Sequence, residues 1–452
     1  MFVEVVKTDE LGDRSYVVHD GSTAAVIDPQ RDIDRIETVL TERHLSLELV
    51  LETHVHNDYV SGGAELARRS GARYCLNAAD PVAMKRTGLT DGDQLDFGSI
   101  QITAVATPGH TGTHLAYIAT DRDQADAPPA VFTGGSLLFG SVGRTDLVDA
   151  AYTDELTRSQ FHSVRRLADL LPDAAPVFPT HGFGSFCSTG GAVKDPDSTV
   201  GAERKRNDAL VIDDEDEFVT TLLSNLTAYP AYYTHMAPLN LAGASQPDLD
   251  HYVLVTPAEL AQRLAGGEWI VDLRDRRAYA ADHLAGTISI ALGSPFATYV
   301  GWLVPWGAPL TLIGNTAEQI REAQRHLARI GIDELSAATG ALGDVAPEQP
   351  RHSYRRVDFA TTAAEMGPGD VLLDVRRDDE YRHGHLDGAW HVPLQDLLTR
   401  HGELPDARLW VHCASGYRAG IAASVLDRAG RQVVHIDDDY AHGAAVLSSG
   451  GR

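Results

Sequence analysis

Lysine is nearly absent: Lys7, Lys85, Lys194 and Lys205 are the only four in 452 residues, and the formal net charge is −26. Nucleic acids and anionic membranes are bound through clustered Lys and Arg that neutralise phosphates. Neither is expected as a partner, and an anionic substrate must be drawn in by a local positive site. Cysteine is scarce as well. Cys75, Cys187 and Cys413 are too few and too scattered for a disulfide framework or a cysteine-rich zinc site, so each is judged alone. Long apolar runs are missing: "VLLDV" and "PLTLIG" fall far short of the roughly 20 residues of a membrane span. The start, "MFVEVVKTDE", has neither the basic residues nor the apolar core of a secretion signal. A cytoplasmic location is expected.

What is present is a chain long enough for two to four cores, with internal repetition as its clearest organisational feature. "VDLRDRRAYAADHLAGT" and "LDVRRDDEYRHGHLDGA" share Asp-x-Arg, a Tyr and His-Leu-x-Gly at a constant offset of 102 residues. The repeats predict domains over 253–345 and 355–452, joined by the Pro- and charge-rich "GDVAPEQPRHSYRR". Ahead of them, 1–250 alternates β-type runs with polar loops, and Leu156, Phe161, Val164, Leu167, Leu170 and Leu171 recur at helical spacing. An α/β domain with polar residues at its strand ends is expected there.

Those strand ends carry metal-ligand chemistry. In "ETHVHNDYVSGG", His54, His56 and Asp58 alternate after the apolar run "LELVL"; His110 follows "IQITAVA" in "TPGHTGTH"; His181 follows "APVF" in "PTHGFGSFC". Histidines spaced i, i+2 at a strand end can face one ion, and four histidines with an aspartate, each after an expected strand, point to a shared site. Cys187 follows the His181 loop but has no base beside it, and Cys75 sits in the strand-like "ARYCLNA".

With "VFTGGSLLFGSVGRTDL" and "GAERKRNDAL" added, the first 250 residues resemble the metallo-β-lactamase fold, an αββα sandwich, with glyoxalase II and the persulfide dioxygenases as relatives. The resemblance implies a first metal site from His54, His56 and His110, and a second from Asp58, residue 59 and His181, bridged by a carboxylate at residue 135. Here residue 59 is Tyr59 and residue 135 is Gly135. A dinuclear centre is therefore not expected, and hydrolysis through a bridging hydroxide is demoted with it. The expectation is one Fe(II) on His54, His56 and His110, with zinc or no metal as alternatives, and with Asp58 and His181 orienting ligands or substrate. Arg144 is a candidate for holding an anionic thiol substrate, or else an ion pair that locks its loop. Tyr233, within "YPAYYTHMAPLNLAG", is a candidate pocket residue, or else part of an aromatic packing cluster.

The last repeat contains "LWVHCASGYRAGIAASVLDRAG", a β-run leading through Cys413, Ser415, Gly416 and Arg418 into a helical stretch. Amides of such a loop point inward at a helix N-terminus and favour a thiolate or a negatively charged sulfur. The segment resembles a rhodanese domain with two parallel-sheet α/β copies in tandem. Cysteine phosphatases share the architecture but place one more residue between Cys and Arg, so sulfur transfer is favoured. In the first copy, Gly314 stands opposite Cys413 and Gln319 opposite Arg418, so that copy is expected to be inactive. The resemblance implies a persulfide-dioxygenase-like domain coupled to a sulfurtransferase acting on a low-molecular-weight thiol persulfide, thiosulfate or sulfite. A metal-free persulfide-binding module and a mononuclear zinc thioester hydrolase are the alternatives for the N-terminal domain. A homo-oligomer is expected.

Overall fold

Period-two alternation sets the layers of the N-terminal unit. In Thr23–Ile27, Ala25 and Ile27 face one side while Ala24 and Val26 face the other; Tyr16 and Val18 part from Val17 in the same way. The computed structural model describes residues 1–190, 197–293 and 295–447. The last residues of the expected third domain, 448–452, lie outside the described residues. The chain divides into two compact units, Met1–Pro247 with Leu327–Gly331, and Asp248–His326 with Ile332–Arg452.

In the first unit, two six-stranded sheets stack face to face. Tyr16, Ile27, Leu49 and Leu51 of one meet Phe97, Ile102, Tyr117 and Phe132 of the other. Helices Asp34–Glu42 and Gly63–Ser70 cover the first sheet through Ile36, Leu40 and Leu66. Helix Thr153–Asp169 covers the second through Phe161, Val164 and Leu167, the residues whose spacing predicts it. The result is the expected αββα sandwich. Strands Ser46–Leu51, Ile100–Ala106, Ala130–Gly134 and Pro176–Pro179 hand the chain to residues 52–58, 110, 135 and 181.

The second unit holds two five-stranded sheets with the same connectivity. Numbered from the first strand of each, both run in the order 1-5-4-2-3 with parallel neighbours. The repeated Asp-x-Arg proves to be a clamp at the end of strand two. Arg274 Nη2 binds Asp272 Oδ2 at 2.6 Å and the carbonyl of Asp282 at 2.8 Å; Arg376 Nη2 binds Asp374 Oδ2 at 2.6 Å and the carbonyl of Gly384 at 2.8 Å. No helix among the described residues is long and apolar enough to cross a membrane.

Candidate metal and thiol sites

Three imidazoles converge in the N-terminal unit with their tautomers set by the partners behind them. Thr53 Oγ1 gives its proton to Asp28 Oδ2 (2.7 Å), so the 2.9 Å contact between Thr53 Oγ1 and His54 Nδ1 must be donated by the ring. His110 Nδ1 donates to the carbonyl of Arg144 (2.7 Å), and His181 Nδ1 to Asp13 Oδ1 (2.9 Å) with Asp58 Oδ2 at 3.0 Å. Each of the three Nε2 atoms is thereby freed to face the others. Ligating atoms of His54, His110 and His181 lie within 4.8 Å of one another, all buried. His54 Nε2 and His181 Nε2 are 3.4 Å apart, the spacing of two nitrogens each about 2.0–2.1 Å from one tetrahedral ion. His110 Nε2 is buried without a hydrogen-bond partner. These donors fit one divalent ion.

The grouping differs from the expected His54, His56 and His110. His181 groups with His54 and His110 here, and His56 also contacts carboxylates on its other side. Its Nε2 lies 3.2 Å from Asp28 Oδ1, 3.3 Å from Glu52 Oε2 and 3.0 Å from the Tyr59 hydroxyl. Burial disfavours a charge on His56, but Asp28 and Glu52 outweigh it and raise its pKa to about 9. Either ring held by carboxylates, His56 or His181, must lose its extra proton before it can ligate. His56 still groups with Asp58 and His181 within 4.8 Å, and its Nδ1 is buried without a partner, as is Asp58 Oδ1. His181 is raised to about 10, burial opposing and Asp58 and Asp13 prevailing, while burial first, then His181, lowers His110 to about 3.

Residues 59 and 135 offer no ready ligand to a second ion, although His56, Asp58 and His181 form a group of their own. The Tyr59 hydroxyl is engaged by His56 and sits 3.4 Å from the carbonyl of Asp28. At Gly135 a Cβ would lie 2.2 Å from His110 Cδ2, so no carboxylate can stand there while the His110 ring keeps its place. The Gly135 amide is taken by His114 Nε2 at 3.0 Å.

Of the two readings of Arg144, its contacts match the ion pair that locks its loop. It is 2% exposed, forks onto Asp146 at 2.7 Å twice, and donates to the carbonyls of Phe186 (3.1 Å) and Thr227 (2.8 Å). It locks loops together and has no face left for a ligand. Tyr233 packs in a buried cluster with Tyr229 and Tyr232, and it is Tyr232 whose hydroxyl reaches the site, donating to the carbonyl of Asp58 at 3.0 Å. Asn240 staples the ligand loop by donating to the carbonyls of His56 (2.8 Å) and Tyr59 (2.9 Å). Asp13, Asp28, Glu52 and Thr53 were not singled out by sequence reasoning. The signal available was position: Asp28 ends the strand-like "AAVIDP", as the histidines end theirs. Cys187 is buried beside Asp58, and burial with that neighbour pushes its thiol well up; burial raises Cys75 to about 11.

In the second unit, strand Leu409–His412 delivers Cys413 to a loop that closes on helix Tyr417–Arg428. Gly416 turns the chain with φ +84°, and a Cβ there would lie 2.3 Å from Asp437 Oδ1; this position needs glycine on both counts. His435 Nε2 donates to the carbonyl of Gly416 at 2.8 Å, and the Tyr440 amide to the carbonyl of Ala414 at 2.9 Å. Cys413 is 1% exposed, and Ser415 is exposed. Arg418 forks onto Glu380, at 2.5 and 2.7 Å. Burial opposes its charge, yet Glu380 raises its pKa, with Tyr299 and Cys413 also acting on it. Arg418 thus braces the loop. In the first repeat the corresponding loop is plugged from within, since Gln319 Oε1 accepts the Asn315 amide at 2.8 Å.

Comparison with known proteins agrees with this layout. The rhodanese-like domain model matches residues 359–443. The hydroxyacylglutathione hydrolase of Acidiphilium cryptum is 34% identical over 162 residues, 35% of this chain and 60% of that protein. The persulfide dioxygenase ETHE1, mitochondrial, of Homo sapiens is 28% identical over 234 residues, 51% of this chain and 81% of that protein. The first hydrolase relatives are thus spanned over only about 60% of their own length. A crystal structure of a metallo-beta-lactamase from Staphylococcus aureus superposes with TM-score 0.68 at 26% identity, over 75% of this chain and 98% of that one. Fold and sites define a two-part α/β protein with a buried histidine cluster in one part and a loop cysteine in the other. More particularly, the chain fuses a metallo-β-lactamase-fold region, matched by glyoxalase II-type and persulfide dioxygenase relatives, to a C-terminal rhodanese-like domain.

Proposed function

We propose that the chain is a sulfur-handling enzyme in which the C-terminal domain carries sulfane sulfur on Cys413. The observation that carries this reading is the strand–Cys413–loop–helix unit braced by the Arg418–Glu380 fork. The Cys413 thiolate attacks the outer sulfur of thiosulfate; an S–S bond to Cys413 forms, the S–S bond to sulfite breaks, and sulfite leaves with the electron pair. An acceptor thiolate or cyanide then takes the outer sulfur, and Cys413 returns as thiolate. The helix N-terminus favours the negative charge throughout. The first repeat, with Gly314 and Gln319 at the corresponding positions, is a rhodanese-like copy without this chemistry. Cys413→Ser is expected to reduce cyanide-dependent thiosulfate turnover to background in a thiocyanate assay; retained turnover overturns the assignment.

For the N-terminal unit we propose a mononuclear, persulfide-dioxygenase-like centre. His54, His110 and His181 would hold the ion, and Fe(II) there would supply activation of O₂ toward a thiol persulfide. Asp13 and Asp58 hold the His181 ring, and Thr53 and the Arg144 carbonyl hold the other two. Metal analysis is expected to find one iron or zinc at this site, lost in His110→Ala. Unchanged metal content in that variant would favour a metal-free binding module.

A further inference from the structure

A second histidine–carboxylate cluster lies in the C-terminal unit, and the reaction described above does not use it. His283 and His352 are directly opposed across the short antiparallel pair His283–Leu284 and Arg351–His352, which places both side chains on one face of the ribbon. Asp427, near the end of helix Tyr417–Arg428, reaches the same face. Its Oδ2 lies 3.2 Å from His283 Nε2 and 3.1 Å from His352 Nδ1, and the three ligating atoms fall within 4.8 Å of one another.

The proton arrangement is the telling point. His283 Nδ1 donates to the carbonyl of Tyr279 at 2.8 Å, and the ring is fixed by stacking on Tyr279, centroids 4.0 Å apart and planes 10° apart. With Nδ1 so engaged, His283 presents Nε2 to the Asp427 carboxylate in a part-buried setting. Ligand atoms 3.1–3.2 Å apart subtend roughly a right angle at an ion about 2.1 Å from each, within the range of metal coordination. The second repeat supplies a control: its Tyr381–His385 pair has the same stacking, 4.0 Å and 11°, and the same Nδ1 contact with the Tyr381 carbonyl at 3.2 Å, but His385 stands exposed.

We propose that His283, His352 and Asp427 form a binding site for a divalent transition-metal cation of the zinc class, pinning the connecting segment and the first repeat to the helix that follows Cys413. Two imidazoles and a carboxylate suit such an ion, and His352, half exposed on its side chain, gives it access from solvent and leaves a position for water. The site is independent of the N-terminal histidines, so the two are told apart by stoichiometry. Purified full-length protein, stripped with chelator and dialysed against Zn(II), is assayed for bound zinc in four forms: wild type, His352→Ala, His110→Ala and the double variant. The expected result is one equivalent fewer in His352→Ala than in wild type, and one fewer in the double variant than in His110→Ala. Zinc raises the unfolding temperature of His110→Ala but not of the double variant. Asp427→Asn, which keeps the side-chain volume, is expected to repeat the loss. Unchanged stoichiometry in both His352→Ala and Asp427→Asn overturns the site whatever His110→Ala does.

Discussion

The two repeats of the C-terminal unit share strand order and the Asp-x-Arg clamp, yet their loops differ in what they carry and in what holds them. In the second, Cys413 opens the loop, and Arg418 is held by Glu380, a residue of the preceding helix Asp378–His383. In the first, Gln319 turns its own side chain back onto the Asn315 amide. The position matching Glu380 at the 102-residue offset is Ala278. The difference teaches that the clamp maintains the fold while the cradle depends on a separate pair of charges, and that losing the thiol leaves amides that something else must satisfy.

The largest effect that would sharpen this contrast is at Glu380. Glu380→Gln leaves a mostly buried guanidinium without its counter-charge, a change on the order of 2 kcal/mol. Thiosulfate turnover is expected to fall at least tenfold with secondary structure retained by circular dichroism. Turnover within twofold of wild type would show that Arg418 does not need its brace.

Acid separates the repeats next. His412 and His435 flank the Cys413 loop, and burial lowers both to about 4, against roughly 6.5 for histidine in an unfolded chain. The unfolded chain binds protons first as pH falls. The stability these two groups contribute is thus whole above about pH 6.5 and is lost progressively toward pH 4, by at most about 7 kcal/mol together. Hydrogen exchange of strands Leu409–His412 and Val433–Ile436 is expected to accelerate over that range before that of Leu310–Gly314 and Ser336–Thr339, whose strands contain no histidine. Equal acceleration in both repeats would break the comparison.

The smallest effect is a null one. Gly314→Cys with Gln319→Arg installs both chemical groups in the first repeat, but Ala278 offers the new arginine no carboxylate. No sulfurtransferase activity is expected when the pair is placed in a Cys413→Ser background; measurable thiocyanate production would show that thiol and guanidinium suffice.

Much of this was legible in the sequence because it is local or periodic. The 102-residue offset located both clamps, helical spacing located Thr153–Asp169, and each metal-type histidine followed a strand as its motif required. What escaped depends on partners far away in the chain. Asp28 and Glu52 contact the His56 ring while Asp13 and Asp58 orient His181, and neither pair could be read from the histidine spacing. The Arg144–Asp146 pair was open to a local reading, but the carbonyls of Phe186 and Thr227 that complete its contacts were not.

The ring of His110 leans over Gly135 into volume that any longer side chain would have to reclaim. An acidic residue at that one position would therefore first evict an imidazole, so the glycine and the placement of the His110 ring stand or fall together.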